Sequence, residues 1–379
     1  MIGQKGMMSP NGGGIERHVT EISTRLAELG HTVTVYRRSW YPKDAISISL
    51  PSIPTKHLDT ITHTFLATIH TLWRIRPEII HYHGVGPALI SWLPRLFSPR
   101  TKIITTFHCI DRAHEKWGVL ARAFLMLGEW MAVIFAHETI VVSKTLETYV
   151  HTRYRQTPTY IPNGATLLTH TSTNALHHIG LESQSYILSV TRLIPHKGTL
   201  ELISAWLALS TEARREKKLV IAGNGYHTDA YVHTLKKLAE NDPDILFTGA
   251  QSGDTLRALY THAYAFVHPS RSEGMPIAVL EAMGAGLPVL ISDIPEHREL
   301  GSDPTHLVPL YHSNALLLAL SRLIQENPAR LKESGENNRL RAAAAYNWEH
   351  IVRDIALLYT KQVHSVNTRM SSFPSKSTS

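Results

Sequence analysis

Apolar residues in this chain alternate between two patterns. Short runs rich in Val, Ile, Thr and aromatic residues occupy residues 32–36, 79–83, 102–107 and 139–142 in the first half. The same kind of run recurs at 186–191, 219–222, 245–248, 264–268 and 289–292 in the second. Runs of this length bounded by turn residues predict strands buried on both faces. Between them, apolar positions recur every three or four residues. The clearest case sets Ile15, Val19, Ile22, Leu26 and Leu29 on one face of a helix that Gly30 ends. Strand–helix alternation repeated twice predicts an α/β protein with two doubly wound parallel sheets.

The pattern fades over residues 166–183, a Thr-, Ser- and His-rich stretch that follows the turn Ile161-Pro162-Asn163-Gly164. The expected organisation is a first domain over 1–165, a linker over 166–183 and a second domain over 184–347. A final helix follows over 348–364, and a Ser/Thr-rich tail over 365–379 is expected to be disordered. At the other end, Met1-Ile2-Gly3 leaves only a stub before the glycine loop. The reading is a shortened or misassigned start. The first sheet would then lack a central strand and expose its neighbours' edges.

Candidate chemistry concentrates where strands turn into helices. The run ending at His268 leads into Ser270-Arg271-Ser272-Glu273-Gly274-Met275-Pro276-Ile277, and then into an amphipathic helix carrying Glu281. Pro276 suits the first helical position. Glu273 falls on the loop, and Glu281 lies inside the helix. The unpaired N–H groups of a helix start attract phosphate, and flanking carboxylates accept sugar hydroxyls. The turn Val190-Thr191-Arg192-Leu193-Ile194-Pro195-His196-Lys197-Gly198 adds two cations, Arg192 and Lys197. Near the N-terminus, Asn11-Gly12-Gly13-Gly14-Ile15-Glu16 precedes the first helix, and its glycines allow close backbone approach to phosphate. Each motif alone is a weak signal, and a lone charge is more often a solvated surface residue.

Together the motifs resemble the retaining glycosyltransferases of family 4, whose paired-Glu element has the same seven-residue spacing. The resemblance runs from Gly3 to about Leu358. It implies a GT-B fold, with two Rossmann-like domains facing a central cleft. It also implies transfer of a sugar from a nucleoside-diphosphate sugar to a glycan or lipid-linked acceptor, in cell-envelope or exopolysaccharide synthesis. On that resemblance His108, Glu273, Arg192 and Lys197 form the catalytic set. Gly13, Gly14, Gly223, Gly249, Gly274, Met275, Pro276, Ile277 and Glu281 bind the donor. His108 is expected beside the donor sugar, Arg192 and Lys197 on the diphosphate, and Glu273 on sugar hydroxyls. Glu16 is expected to cap or order its loop. His81 and His83, at a strand end, line the acceptor side or simply pack there. No metal and no other cofactor is expected, because fixed cations and helix N–H groups can stabilise the leaving phosphate.

Composition narrows this only at the edges. A chain of 379 residues with 43% hydrophobic content accommodates two domains. The net charge of +7 and pI near 9.4 favour anionic partners. No nucleic-acid motif is present, so those partners are read as the nucleotide sugar and, at the periphery, anionic membrane. A single cysteine, Cys109, rules out an intrachain disulfide and fits the cytoplasm, with the inner face of the cell membrane as the place of any lipid contact. The most apolar window, 119–142, carries Arg122, Glu129, His137 and Glu138 and reads as a soluble helix and strand. The 24 histidines are scattered without a metal-binding spacing. Asp242-Pro243-Asp244 precedes a strand and reads as a turn. A mixed basic and apolar surface, including Arg112, His114, Lys116, Trp117, Arg122, Trp130 and Phe135, is a candidate acceptor or lipid face. The competing readings are an inactive GT-B sugar-nucleotide-binding protein and a GT-B epimerase. A phosphorylase would be expected to carry a cofactor lysine, and no motif supports one.

Overall fold

The computed structural model describes the chain except for residues 8–11, 56–57, 114–117, 170, 226–227, 302, 310–313 and 372–379. It divides into two units: residues 1–7, 15–162 and 349–379 form the first, and 8–14 with 163–348 the second.

In the first unit, β1 (Val35–Arg38) and β2 (Ser47–Leu50) pair in parallel. β3 (Ile79–His83), β4 (Lys102–Phe107), β5 (Glu138–Val141) and β6 (Thr159–Tyr160) form a second parallel set in that order. The expected gap lies between the two sets, and the N-terminal stub fills it. Ile2 N–H donates to the His81 carbonyl at 3.0 Å, and His83 N–H to the Ile2 carbonyl at 2.9 Å. On the other side, Tyr36 N–H donates to Met1 at 3.2 Å and Arg38 N–H to Lys5 at 2.8 Å. Ile2 is 1% exposed and packs with Tyr36, Ile80, Tyr82 and Ile103. The expectation of a missing strand is therefore corrected. A few residues bond to both neighbours, too short a run to show a strand pattern in sequence.

Helix α1 (Gly14–Glu28) buries Val19, Ile22 and Leu26 as its spacing predicts. Leu29 falls past the helix end and is exposed. Helix α2 (Val119–Ile134) follows β4 and packs on the short helix Val85–Ala88. The fit is close, since a Cβ on Gly128 would sit 2.3 Å from the Val85 carbonyl oxygen.

The second unit holds β7 (Tyr186–Val190), β8 (Lys218–Ala222), β9 (Ile245–Gly249), β10 (Ala265–His268), β11 (Val289–Ser292) and β12 (Leu307–Val308). They form one parallel sheet in the order β12-β11-β10-β7-β8-β9. Strands β7, β8 and β9 run outward one way, and β10, β11 and β12 the other. The order reverses between β7 and β10, where doubly wound sheets open a ligand crevice at the strands' carboxyl ends. Helix α3 (Ile277–Gly284) follows β10, with Pro276 as its N-cap rather than its first residue.

Residues 166–183, expected as a linker, pack into the second unit. Leu176 and Leu181 are buried, Leu168 N–H donates to Gly284, and the Thr171 carbonyl lies 2.8 Å from His262 Nε2. Two well-spaced leucines anchor a stretch whose composition otherwise looks like a connector. The last helix, α4 (Trp348–Ser371), belongs from Glu349 onward to the first unit. Its Tyr359 hydroxyl meets His81, and Gln362 donates to Glu138. It extends past the expected end at 364, so part of the expected tail is helical, and the remainder lies outside the described residues.

Candidate functional site

The β7–β10 switch point brings together side chains that lie far apart in sequence. Lys197 ends the short turn after β7, and Glu273 lies on the loop after β10. Lys197 Nζ stands 2.5 Å from Glu273 Oε1, and both side chains are largely buried. His268, the last residue of β10, places Nε2 2.7 Å from the same oxygen. Both contacts fall on Oε1, and Glu273 Oε2 has no hydrogen-bond partner among the described residues. Burial alone would raise the Glu273 pKa. Lys197, the His268 hydrogen bond and the charges of His268 and His297 outweigh it and hold the carboxyl well below its usual range. Glu273 is thus an ionised, pre-oriented carboxylate with one oxygen to spare.

His297 backs this group. Its Nδ1 lies 2.8 Å from the Ser292 carbonyl at the end of β11, and its ring meets His268 edge-on at 5.8 Å. Nε2 is buried without a hydrogen-bond partner among the described residues. Burial, then the charge of His268, lower its pKa to about 3, so the ring is neutral near neutral pH. Sequence reading singled out neither: His268 closes an apolar run, and His297 lies in the short polar helix Pro295–Arg298 after β11. The position of His268 at a strand carboxyl end was the usable signal.

The other residues expected to bind the donor are grouped with the second unit. Arg192 is exposed, and its guanidinium has no hydrogen-bond partner among the described residues. The two cations therefore differ: Lys197 is fixed by Glu273, and Arg192 is open to a ligand. Gly223 N–H donates to the Gly249 carbonyl at 2.8 Å, which ties the ends of β8 and β9 together. A Cβ on Gly223 would lie 1.8 Å from the Thr191 carbonyl oxygen, so only glycine permits this approach of two loops. Gly274, Met275, Pro276 and Ile277 are buried, and the Met275 carbonyl accepts a hydrogen bond from Asn163 at 2.9 Å. Glu281 is buried in α3, where its carbonyl accepts from Ala285. Gly13 and Gly14 are grouped with the second unit, although Gly14 opens α1. Glu16 is buried and accepts the Lys5 N–H at 3.0 Å, so it orders the loop. Asn11 lies outside the described residues.

In the first unit the predicted histidines form one buried cluster with His18. His83 Nδ1 and His108 Nε2 are 3.4 Å apart, and the His18 ring meets the His108 ring at 4.8 Å. Burial first, then neighbouring imidazoles, hold His81, His83 and His108 well below the usual histidine pKa. His81 has both nitrogens engaged, with Tyr359 at 2.6 Å and Thr106 at 2.7 Å, which leaves it a packing role rather than an acceptor contact. His83 keeps Nε2 buried and unpartnered among the described residues.

Two groups have metal-compatible spacing among the described residues: His18, His83 and His108, and His268, Glu273 and His297. In the second, the Lys197 ammonium already occupies the carboxylate oxygen and opposes a cation. The Asp242-Pro243-Asp244 turn is a structural ion pair, with Arg214 at 2.6 Å from Asp242 and Asp244 N–H bonded to Asp242.

Comparison with known proteins bears on the family and the fold. Residues 177–341 match the family "Glycosyl transferases group 1", and residues 12–167 match "Glycosyltransferase Family 4". An uncharacterized glycosyltransferase of Methanocaldococcus jannaschii is 30% identical over 49% of this chain and 47% of its own length. An O-antigen chain mannosyltransferase of Escherichia coli is 26% identical over 44% of this chain and 43% of its own. The chain thus spans about half the length of these curated relatives. An Anabaena protein solved in complex with UDP and glucose superposes with a TM-score of 0.76, at 18% identity, over 93% of this chain and 98% of its own. No described helix is long and apolar enough to cross a membrane.

Proposed function

The chain belongs to the group 1 glycosyltransferases and has the GT-B fold, and we propose that it is a retaining enzyme that uses a nucleoside-diphosphate sugar. The observation that carries this reading is the Lys197–Glu273–His268 group at the β7–β10 switch point. There a buried carboxylate offers one oxygen to a neutral polyol, while a buried ammonium and an open Arg192 supply positive charge for a diphosphate. Charge builds on the departing nucleotide as the sugar–phosphate bond breaks. Fixed cations and the α3 start stabilise that charge without reorganisation. Gly223 and Gly249 keep two strand ends low beside the same crevice, which leaves backbone groups for the base. Glu281 is assigned to the ribose hydroxyls. His108, a neutral imidazole, is assigned to the donor sugar as a hydrogen-bonding partner. In this reading no metal takes part, because Lys197 and Arg192 occupy that electrostatic role.

The acceptor is proposed to be a glycan or lipid-linked glycan of the cell envelope, reached from the cytoplasmic side. The O-antigen relative supports that class. The non-catalytic reading drew on a missing central strand. With the stub bonded on both sides, that motive falls away.

Titration calorimetry with UDP, GDP, ADP and dTDP, with and without EDTA, tests the core of the proposal. One nucleoside diphosphate should bind equally well in both conditions. Binding that vanishes on chelation would refute the metal-free assignment, and a subsequent panel of the matching nucleotide sugars should show transfer or slow hydrolysis.

A further inference from the structure

We infer that His18, His83 and His108 form a binding site for a divalent transition-metal ion of the zinc class. The site lies wholly within the first unit and does not depend on the donor reading.

Strand periodicity assembles it. β3 and β4 pair with His83 opposite Thr106, and side chains two residues apart share a face of the sheet. His81, His83, Thr106 and His108 therefore line one side, with His108 just past the end of β4. The contact between His81 Nε2 and the Thr106 hydroxyl, at 2.7 Å, marks that shared side. His18 reaches it from the buried side of α1. Three separate elements supply the three rings, so no metal-binding spacing shows in the sequence.

The distances fit an ion better than a packed core. One nitrogen from each ring lies within 4.8 Å of the other two. His83 Nδ1 and His108 Nε2 stand 3.4 Å apart, which is long for a hydrogen bond. Two imidazoles that bind one zinc tetrahedrally, at about 2.0–2.1 Å each, hold their nitrogens roughly 3.4 Å apart. That approach is also the one hydrogen-bond contact of the His83 ring among the described residues, since its Nε2 is buried and unpartnered. The His18 ring lies 4.8 Å from that of His108 and 5.5 Å from that of His83, edge-on to both. A small torsional change at His18 closes the remaining edges. His81 lies against His83 at 4.1 Å and is itself fixed by Tyr359 and Thr106, so the His83 ring is held in orientation.

The donor set selects the ion. Three imidazoles without a carboxylate suit zinc and its first-row neighbours, whereas magnesium and calcium take oxygen ligands. Burial keeps His83 and His108 neutral near neutral pH, so each retains a lone pair. The fourth tetrahedral position falls to water or an anion. An ion here would withdraw His108 from the donor sugar assigned to it above. On that reading zinc is an inhibitor of transfer and not a cofactor.

Cobalt(II) and zinc titrations of the full chain test the site. They are read without nucleotide, so their failure leaves the donor assignment untouched. Cobalt should develop the visible bands of a tetrahedral, nitrogen-ligated ion, bleached by one equivalent of zinc and unaffected by excess magnesium. Zinc should also raise the melting temperature of the first unit. His18→Gln and His83→Gln should each weaken zinc binding about a hundredfold or more, and His63→Gln and His297→Gln should leave it unchanged. Thermal unfolding of each metal-free variant separates a lost ligand from lost folding. Parent protein that shows no tetrahedral cobalt bands would overturn the inference, whatever the variants do. So would zinc binding that survives both His18→Gln and His83→Gln. Loss of binding in His297→Gln alone would also overturn it, by placing the ion on the His268, Glu273 and His297 group.

Discussion

Lys197 and Glu273 form a buried ion pair at the β7–β10 switch point. Each is costly to bury alone, and each removes the other's penalty. Replacing only Lys197 would leave an ionised carboxylate enclosed with His268. We therefore expect Lys197→Met to destabilise the second unit by about 3–5 kcal/mol, read by chemical denaturation. Lys197→Met with Glu273→Gln should recover most of that loss, because the stranded charge is gone. Transfer activity should fail in both. If the double variant is as unstable as the single one, the pair is not the electrostatic unit described. At this scale the sequence placed Arg192, Lys197 and Glu273 on turns that follow strands, and the structure has them there, with Lys197 and Glu273 joined in one ion pair. His268 was hidden because a polar residue that closes an apolar run looks like part of the strand, and His297 because it sits in a short polar helix after β11.

Elements were legible where one pattern ran long enough to repeat. The strands at 79–83, 102–107 and 289–292 stand where the apolar runs predict them. The segments missed were short and paired on a sheet's margin: β2, β6 and β12, the last two of two residues each. Such edges are held by a few ladder bonds and need no apolar alternation. The N-terminal stub was missed for a related reason, although it lies centrally. Its place is defined by hydrogen bonds to Tyr36, His81 and His83, which no side-chain pattern reports. Its fully buried side chain is Ile2, enclosed among Tyr36, Ile80, Tyr82 and Ile103. Ile2→Ala should therefore cost about 2–5 kcal/mol, far more than an ordinary terminal residue would. Urea denaturation of the first unit measures it. A loss below about 0.5 kcal/mol, the surface-substitution range, would show that β1 and β3 do not need the stub.

Across the molecule, histidine burial is unequal, and this ties stability to pH. In the first unit burial lowers the His63 pKa from 6.5 to about 4 and holds His81, His83 and His108 well below their ordinary value. The second unit has His297, at about 3, and a smaller lowering at His306. The sign follows from proton counting. Below pH 6.5 the unfolded chain takes up a proton at each such site, while the folded chain stays neutral until its own lower pKa. The stabilisation is thus complete above pH 6.5 and is lost as pH falls toward 4 for His63 and toward 3 for His297. Each fully buried site contributes a slope of about 1.4 kcal/mol per pH unit. The depressed Glu273 acts in the same direction, at lower pH, as it too loses stabilisation on protonation. With more buried imidazoles, the first unit should weaken faster on acidification. Differential scanning calorimetry from about pH 7.5 to about pH 5 should therefore show the transition of the first unit moving down ahead of that of the second. His63→Gln should flatten the slope of the first transition by about one proton and leave the second where it was. Parallel movement of both transitions would mean that the histidine cluster titrates freely in the folded protein, and the neutral-imidazole assignment of His108 would fall with it.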